Sequence, residues 1–219
     1  VTGAGRGLGE ACAIALSEAG ADLIIMSRTE SDLLTLKGRI ESFGGEVKVS
    51  ICDASDPDQI SNIIPKLGRI DVLVNNAGTN IPESFVDVSL SNLDTILNLN
   101  VRGAFLMAQA VVQGMLEREH GGSIIHMSSQ MGHVGAPNRT VYCASKHAIE
   151  GLTKAMGVEL AQHGIRVNSV GPTFIETPLS KPFFEDKNFA KDTLERIPMG
   201  KLGSVEDVAD AVVYLASPA

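Results

Sequence analysis

The stretch VTGAGRGLGEACAIALSEAGADLIIMS, Val1 to Ser27, decides how the chain is read. Its opening, TGAGRGLG from Thr2 to Gly9, carries four glycines and leads into a helical pattern over 8–18. The apolar DLIIMS at 22–27 then reads as a strand. If a strand ends at Val1, this is a strand–loop–helix turn. Its glycines let the backbone approach a pyrophosphate, and the helix N-terminus faces the negative charge. Glycines also serve tight helix–strand packing, so the position of the loop in the chain has to separate the two readings.

Further strand-length apolar runs occupy 46–51, 71–75, 122–127 and 165–170, with helical patterns at about 30–43, 56–66, 89–118, 140–162 and 204–216. Strands separated by helices of this length predict right-handed βαβ units and an α/β fold, a single doubly wound parallel sheet of the Rossmann type. Nothing in composition breaks the series, so residues 1–219 are expected to form one domain. The segment 171–203, with four prolines, reads as a long irregular loop, and a loop of that length inside a compact domain points to function. The chain opens on VTGAG and stops at YLASPA. Both ends read as cut, with most of the first strand and a last strand missing.

Composition narrows the function. Hydrophobic residues make up 44% and charged residues 20% of 219, which describes a folded globular chain. A net charge of −8 argues against general affinity for nucleic acid or an anionic membrane. No apolar run approaches the roughly 20 residues of a membrane span. With no tryptophan and 4% aromatics, the core must be aliphatic. Cys12, Cys52 and Cys143 show no CxxC spacing and read as reduced thiols of a cytoplasmic protein. The five histidines form no HxxxH or HxH pair, so no metal site is expected.

The second strand ends in Ser27 and Arg28, where NAD-binding folds usually place an acid. With Arg6 in the glycine loop, two guanidiniums beside a hydroxyl suit a 2′-phosphate, so NADP(H) is favoured over NAD(H). Asp53 and Ala54 follow the third strand, and NNAG, Asn75 to Gly78, follows the fourth. These are the carboxyl ends where open α/β sheets bind ligands, although Asn76, Ala77 and Gly78 also suit an ordinary turn. Beyond them come LNLNVRGAF with Asn100, MSSQMG with Ser129, and TVYCASKHAIEG with Tyr142 and Lys146 four apart. A lysine four after a tyrosine is by itself common.

In that order, the glycine loop, NNAG, LNLNVRGAF, SS, YxxxK and VNSVGPTFIET resemble the short-chain dehydrogenase/reductase family along essentially the whole chain. The resemblance implies that Tyr142 moves a proton at the substrate oxygen, and that Lys146 binds the nicotinamide ribose and lowers the tyrosine pKa. It implies that Ser129 orients the substrate oxygen and that Asn100 supports a water-mediated relay through the lysine. It also implies cofactor contacts at Gly3, Arg6, Gly7, Leu8, Gly9, Ser27, Arg28, Asp53, Ala54, Asn76, Ala77, Gly78, Tyr142, Lys146, Pro172, Ile175 and Thr177, and a homo-oligomer, tetramer or dimer. Charge arithmetic agrees on Lys146. Lowering a phenol by about 3 units takes roughly 4 kcal/mol, and an ammonium about 4.5 Å away supplies just under that at an effective dielectric near 20.

The chain departs from the family pattern in two places. The usual proline–glycine after the sixth strand is Pro172–Thr173 here, which leaves that turn less freedom. Between Asp53 and Gly68 the chain is about a turn short, so the third helix should be stunted. His126 reads as structural. Gln130 and His133 either line the substrate pocket or sit on a surface loop. The expected function is an NADP(H)-dependent oxidoreductase interconverting a secondary alcohol and a ketone, a polyol or keto-sugar acid, as in gluconate 5-dehydrogenase-like reductases. The rivals are a 3-oxoacyl-carrier-protein reductase and, from another class, a non-catalytic NADP(H) sensor. Segment 176–198, with Phe183, Phe184 and Phe189, is the expected lid.

Overall fold

The computed structural model describes residues 1–178 and 180–219; Leu179, inside the expected lid, lies outside the described residues. Five parallel strands form the centre: β1 (Leu23–Ser27), β2 (Val47–Ile51), β3 (Val72–Asn75), β4 (Gly122–Met127) and β5 (Ile165–Val170). β1 pairs with β2, and β3, β4 and β5 pair in that order. The N-terminal residues join the two groups: Thr2 bridges Met26 in parallel, and its N–H donates to the Val74 carbonyl at 3.0 Å. The lateral order is therefore β2, β1, Val1–Thr2, β3, β4, β5, and the order in which strands are added reverses at the N-terminal residues, as in a doubly wound sheet.

Adjacent strand residues face opposite layers. Ile25, Val74 and Ile125 pack with α1 (Gly7–Glu18), α2 (Glu30–Ser42) and α8 (Val205–Ala216). Met26, Leu73 and Ile124 pack with α3 (Pro57–Ile63), α5 (Ala104–Arg118) and the end of α6 (Thr140–Leu160). The buried core is aliphatic and contains none of the seven phenylalanines.

Two elements differ from the sequence reading, and the third helix is as short as expected. The helix expected over 89–118 is α4 (Leu90–Leu97), a π-helical turn Asn98–Gly103, and α5, running on without a break. The helix is 29 residues long with a mean hydropathy of 1.2 over its most apolar 18-residue window, a length and composition that a core helix shares with a membrane span. Its apolar side, with Met107, Val111 and Met115, is buried against the sheet. Segment 171–203 is not irregular throughout: it holds a 3₁₀ turn, Lys181–Glu185, and α7 (Lys187–Glu195). Asp186 caps α7 by accepting from the N–H groups of Asn188 and Phe189, a start signal visible in the sequence. The third helix is short, seven residues followed by a 3₁₀ turn that contains Pro65.

Candidate active site

A cleft of about 600 Å³ opens at the carboxyl ends of the strands, between the glycine loop and the segment that follows β5. The NNAG segment clamps the loop. The Thr2 hydroxyl accepts from the N–H groups of Asn76 and Ala77, both at 3.0 Å, and Asn76 Nδ2 donates back to the carbonyls of Thr2 (2.9 Å) and Gly3 (3.2 Å). A Cβ on Gly9 would run into the Gly3 carbonyl, and Gly3 itself has φ +63°, so both positions demand glycine. The turn reading of Asn76–Gly78 therefore undersold it, because this turn is what shapes the loop.

α1 starts at Gly7 with Arg6 extended before it and no side chain capping its first turn. The first-turn N–H groups lack intrahelical partners, and Gly7, Leu8 and Gly9 line the cleft, an arrangement suited to an anion. Thr177 packs over Gly7 from the other side: a Cβ there would sit 3.7 Å from Thr177 Cβ. A cradle that side chains would fill, lined also by Leu8, Ala54, Gly78, Pro172 and Ile175, fits a dinucleotide.

At the β1–β2 end the electrostatics are mixed. Arg28 Nη1 lies 3.7 Å from Asp53 Oδ2, both partly solvated, so the pair contributes little. Asp53 Oδ1 accepts from the N–H and hydroxyl of Ser55. The sequence reading passed over Asp32, in the first turn of α2. A Cβ on Gly5 would lie 3.4 Å from its carboxylate and 3.3 Å from Ser27 Oγ. A carboxylate thus shares the space where Arg6 and Arg28 would hold a 2′-phosphate.

At the other end Ser129, Tyr142 and Lys146 line the same cleft. Lys146 is buried, its Nζ donates to the Met127 carbonyl at 2.7 Å, and it stands 5.6 Å from the centroid of the Tyr142 ring. Burial pulls the ammonium down to about 8, against the opposing charge of Glu150. Ser129 Oγ accepts from the Met131 N–H at 3.1 Å, leaving its own proton to give. The Tyr142 pKa is raised, because burial outweighs the side-chain bond from Ser129, which lowers it. Burial is the first cause of that rise; Lys146, expected to hold the phenol down together with an oxidised nicotinamide, donates to the Met127 carbonyl and stands over the ring.

Asn100 sits in the π-turn, a feature frequent at functional sites. Its side chain is fully buried and engaged: Oδ1 accepts from the Thr79 N–H, while Nδ2 donates to the Thr79 carbonyl and to Ser145 Oγ. It fixes the strand end beside Gly78, from which a Cβ would lie 3.7 Å from Lys146 Nζ.

The two residues after Ser129 that were read together part company. Gln130 lines the cleft, its Oε1 accepting from Thr173 Oγ1 at 2.9 Å. His133 is exposed outside it, with Nε2 3.6 Å from Glu150 Oε1. Thr173 stands where glycine was expected and has no positive φ. His126 is buried in β4 against Asn75 and, through burial first, is depressed to about 4. Arg139, one turn ahead of Tyr142, also lines the cleft and was missed. Among the described residues no His/Cys/Asp/Glu group is placed to hold a metal.

Comparison with known proteins agrees with this geometry. A family model described as enoyl-(acyl carrier protein) reductase matches residues 3–219. L-xylulose reductase of Mus musculus is 39% identical over 99% of this chain and 87% of its own length. The 3-oxoacyl-[acyl-carrier-protein] reductase of Thermotoga maritima is 38% identical over 99% of this chain and 89% of its own. A gluconate 5-dehydrogenase from Burkholderia cenocepacia, solved with NADP and tartrate, superposes with TM-score 0.94 at 33% identity, covering 99% of this chain and 86% of that one. Fold, cleft and relatives converge: the chain belongs to the short-chain dehydrogenase/reductase family, NAD(P)-dependent oxidoreductases acting on CH–OH groups.

Proposed function

We propose that the protein is an NADP(H)-dependent reductase of the ketone in a polyol-related sugar or keto-sugar acid. One observation carries this reading: a buried phenol held in its protonated form beside a serine hydroxyl, in a cleft whose other end fits a dinucleotide. When bound, the nicotinamide supplies or takes the hydride at C4. Tyr142 gives its proton to the carbonyl oxygen, and burial keeps the phenol in its protonated form for that step. Ser129 donates to the same oxygen and holds the carbonyl in place. Lys146 anchors the ribose, and Asn100 holds the Gly78–Thr79 backbone against which the lysine lies. Gly3, Gly7, Leu8, Gly9 and Asn76–Gly78 form the phosphate and ribose cradle, Asp53 and Ala54 the adenine wall, and Pro172, Ile175 and Thr177 the carboxamide side. Arg6, Ser27 and Arg28 favour the 2′-phosphate, against Asp32.

Two relatives named for sugars and gluconate support the substrate class. The apolar wall of Phe174 and Phe183 supports the rival, a 3-oxoacyl thioester. The deciding assay is NADPH oxidation by the full chain on a ketopentose, a 5-keto-hexonate and a 3-oxoacyl ester. We expect kcat/KM for a sugar to exceed that for the ester by about tenfold or more. The reverse order selects the rival, and no turnover on any of them overturns the reading. The same reading includes a cytoplasmic homo-oligomer, dimer or tetramer. The three buried free cysteines and the exposed Phe85, Val86, Leu90 and Val158 support it, and light scattering with NADPH bound tests the assembly.

A further inference from the structure

The substrate end of the cleft carries a guanidinium that the mechanism does not use. Arg139 lies half-buried just ahead of α6, one turn before Tyr142, with its Cζ 5.0 Å from the centroid of the Phe183 ring. The single hydrogen bond of the guanidinium among the described residues runs from Nη1 to the neighbouring Asn138 carbonyl at 3.2 Å. Among the described residues no carboxylate lies within ion-pair reach of it. The acids lining the cleft, Asp32 and Asp53, both belong to the opposite end, beside Ser27 and Arg28. A partly desolvated guanidinium with free N–H groups and no anion is costly unless something pairs with it. Planar carboxylates match its geometry.

Two neutral side chains complete the pattern. The Thr173 hydroxyl occupies Gln130 Oε1, so what the Gln130 amide has left to offer at the cleft wall is its N–H groups. Asn80 Oδ1 is buried and accepts no hydrogen bond, although Asn80 lines the same cleft. Such an acceptor calls for a hydroxyl donor. A cation with a donor amide suits a carboxylate, and an orphan acceptor suits a hydroxyl.

Building on the proposed keto-sugar reduction, we infer that Arg139, braced by Phe183, binds the carboxylate of a polyhydroxy acid while Asn80 accepts from one of its hydroxyls. The substrate class is then the sugar acid and not the neutral sugar. Phe183 lies in the 3₁₀ turn Lys181–Glu185, so seating the anion also fixes the segment that covers the cleft.

The test uses the full chain loaded with NADPH and two six-carbon probes that differ at C1, D-gluconate and D-sorbitol. Both are alcohols, so the complexes are dead-end and calorimetry reads binding without turnover. Wild type should bind gluconate about 10- to 100-fold tighter than sorbitol, the range of a charge-assisted hydrogen bond. In Arg139→Met that ratio should collapse toward one, and Arg139→Lys should restore part of it. Wild type with no preference for gluconate overturns the inference whatever the variants do, as does an unchanged ratio in Arg139→Met. Gluconate binding through Arg139 without turnover of any keto-sugar would sink the proposed activity and leave this site standing. Turnover of neutral ketoses with no gluconate preference would do the reverse.

Discussion

Lys146 Nζ lies 5.6 Å from the centroid of the Tyr142 ring and donates at 2.7 Å to the Met127 carbonyl, so the cation stands over the aromatic ring with one proton already engaged. The geometry separates two roles that the four-residue spacing suggests together. Over the ring, the charge holds the side chain in place, while the phenol's proton affinity answers mainly to burial and to Ser129. The protein by itself is therefore poised as a proton donor, the form that reduction needs.

Replacing the donor tests this directly. Tyr142→Phe should lower kcat for reduction by about 10²- to 10⁴-fold, the usual worth of general acid catalysis, while NADPH affinity stays within about threefold. Ser129→Ala should cost about 10²-fold, as loss of one donor at the developing oxyanion does. It should also raise the pKa of Tyr142 further, since the serine lowers it. Steady-state kinetics with NADPH titrations followed by fluorescence separate the two effects. Equal losses in cofactor affinity and in rate would count against Tyr142 as the donor.

The pH profile should carry the signature of Lys146. Its folded pKa is about 8 against an ordinary 10.5. Reduction should be flat below neutrality and decline as pH rises through about 8, where the ammonium is lost. The stability of the fold should move the other way. Between about pH 8 and 10.5 the unfolded chain binds the extra proton, so this group's contribution rises with pH by up to about 3 kcal/mol. Denaturant unfolding across pH 7.5–9.5, beside initial rates, checks both slopes. Stability falling in step with activity would mean that unfolding, not titration, explains the rate.

Cofactor choice rests on opposed charges. Arg28→Ala should raise KM for NADPH about tenfold and leave that for NADH within about twofold, because only the former carries the phosphate an arginine grips. Asp32→Asn should tighten NADPH, because a carboxylate that approaches Gly5 and Ser27 repels a 2′-phosphate. Wild type turning over NADH faster than NADPH, with Arg28→Ala neutral toward both, would remove Arg28 from the site.

What the sequence made legible was whatever depends on neighbours along the chain. Alternating strand and helix patterns placed β4 and β5 to the residue, and the glycines of the first loop announced their own backbone demands. The π-turn at Asn98–Gly103 left no trace, since a switch to i→i+5 bonding is set by what Asn100 must reach. The burial that raises Tyr142 was illegible for a similar reason: it is a tertiary property, outside any reckoning from one pair of charges. Arg139 acquires meaning only when Phe183, 44 positions later, folds beneath it. α7 is different, because the Asp186 cap was there to be read and the prolines before it drew attention away.

His126 supplies a test of the fold independent of the chemistry. It is fully buried in β4, its Nδ1 is 3.4 Å from Asn75 Nδ2, and its Nε2 has no partner. Asn75 Nδ2 also donates to the Ala104 carbonyl, so the pair ties β4 and β3 to the start of α5. Burial, with the charge of Lys146 adding to it, lowers the imidazole from 6.5 to about 4. Below about pH 4 both states are protonated, and the cost of charging the buried ring is fully present. Between 4 and 6.5 the unfolded chain takes up the proton first. Stability should therefore fall as pH drops through that window, by up to about 3 kcal/mol from this group. His126→Asn removes the titration while keeping a polar group of similar reach toward Asn75. The difference in unfolding free energy between wild type and variant should shift by that amount between pH 7 and pH 4, to the variant's advantage in acid. A difference independent of pH would show that the ring is not buried in its neutral form.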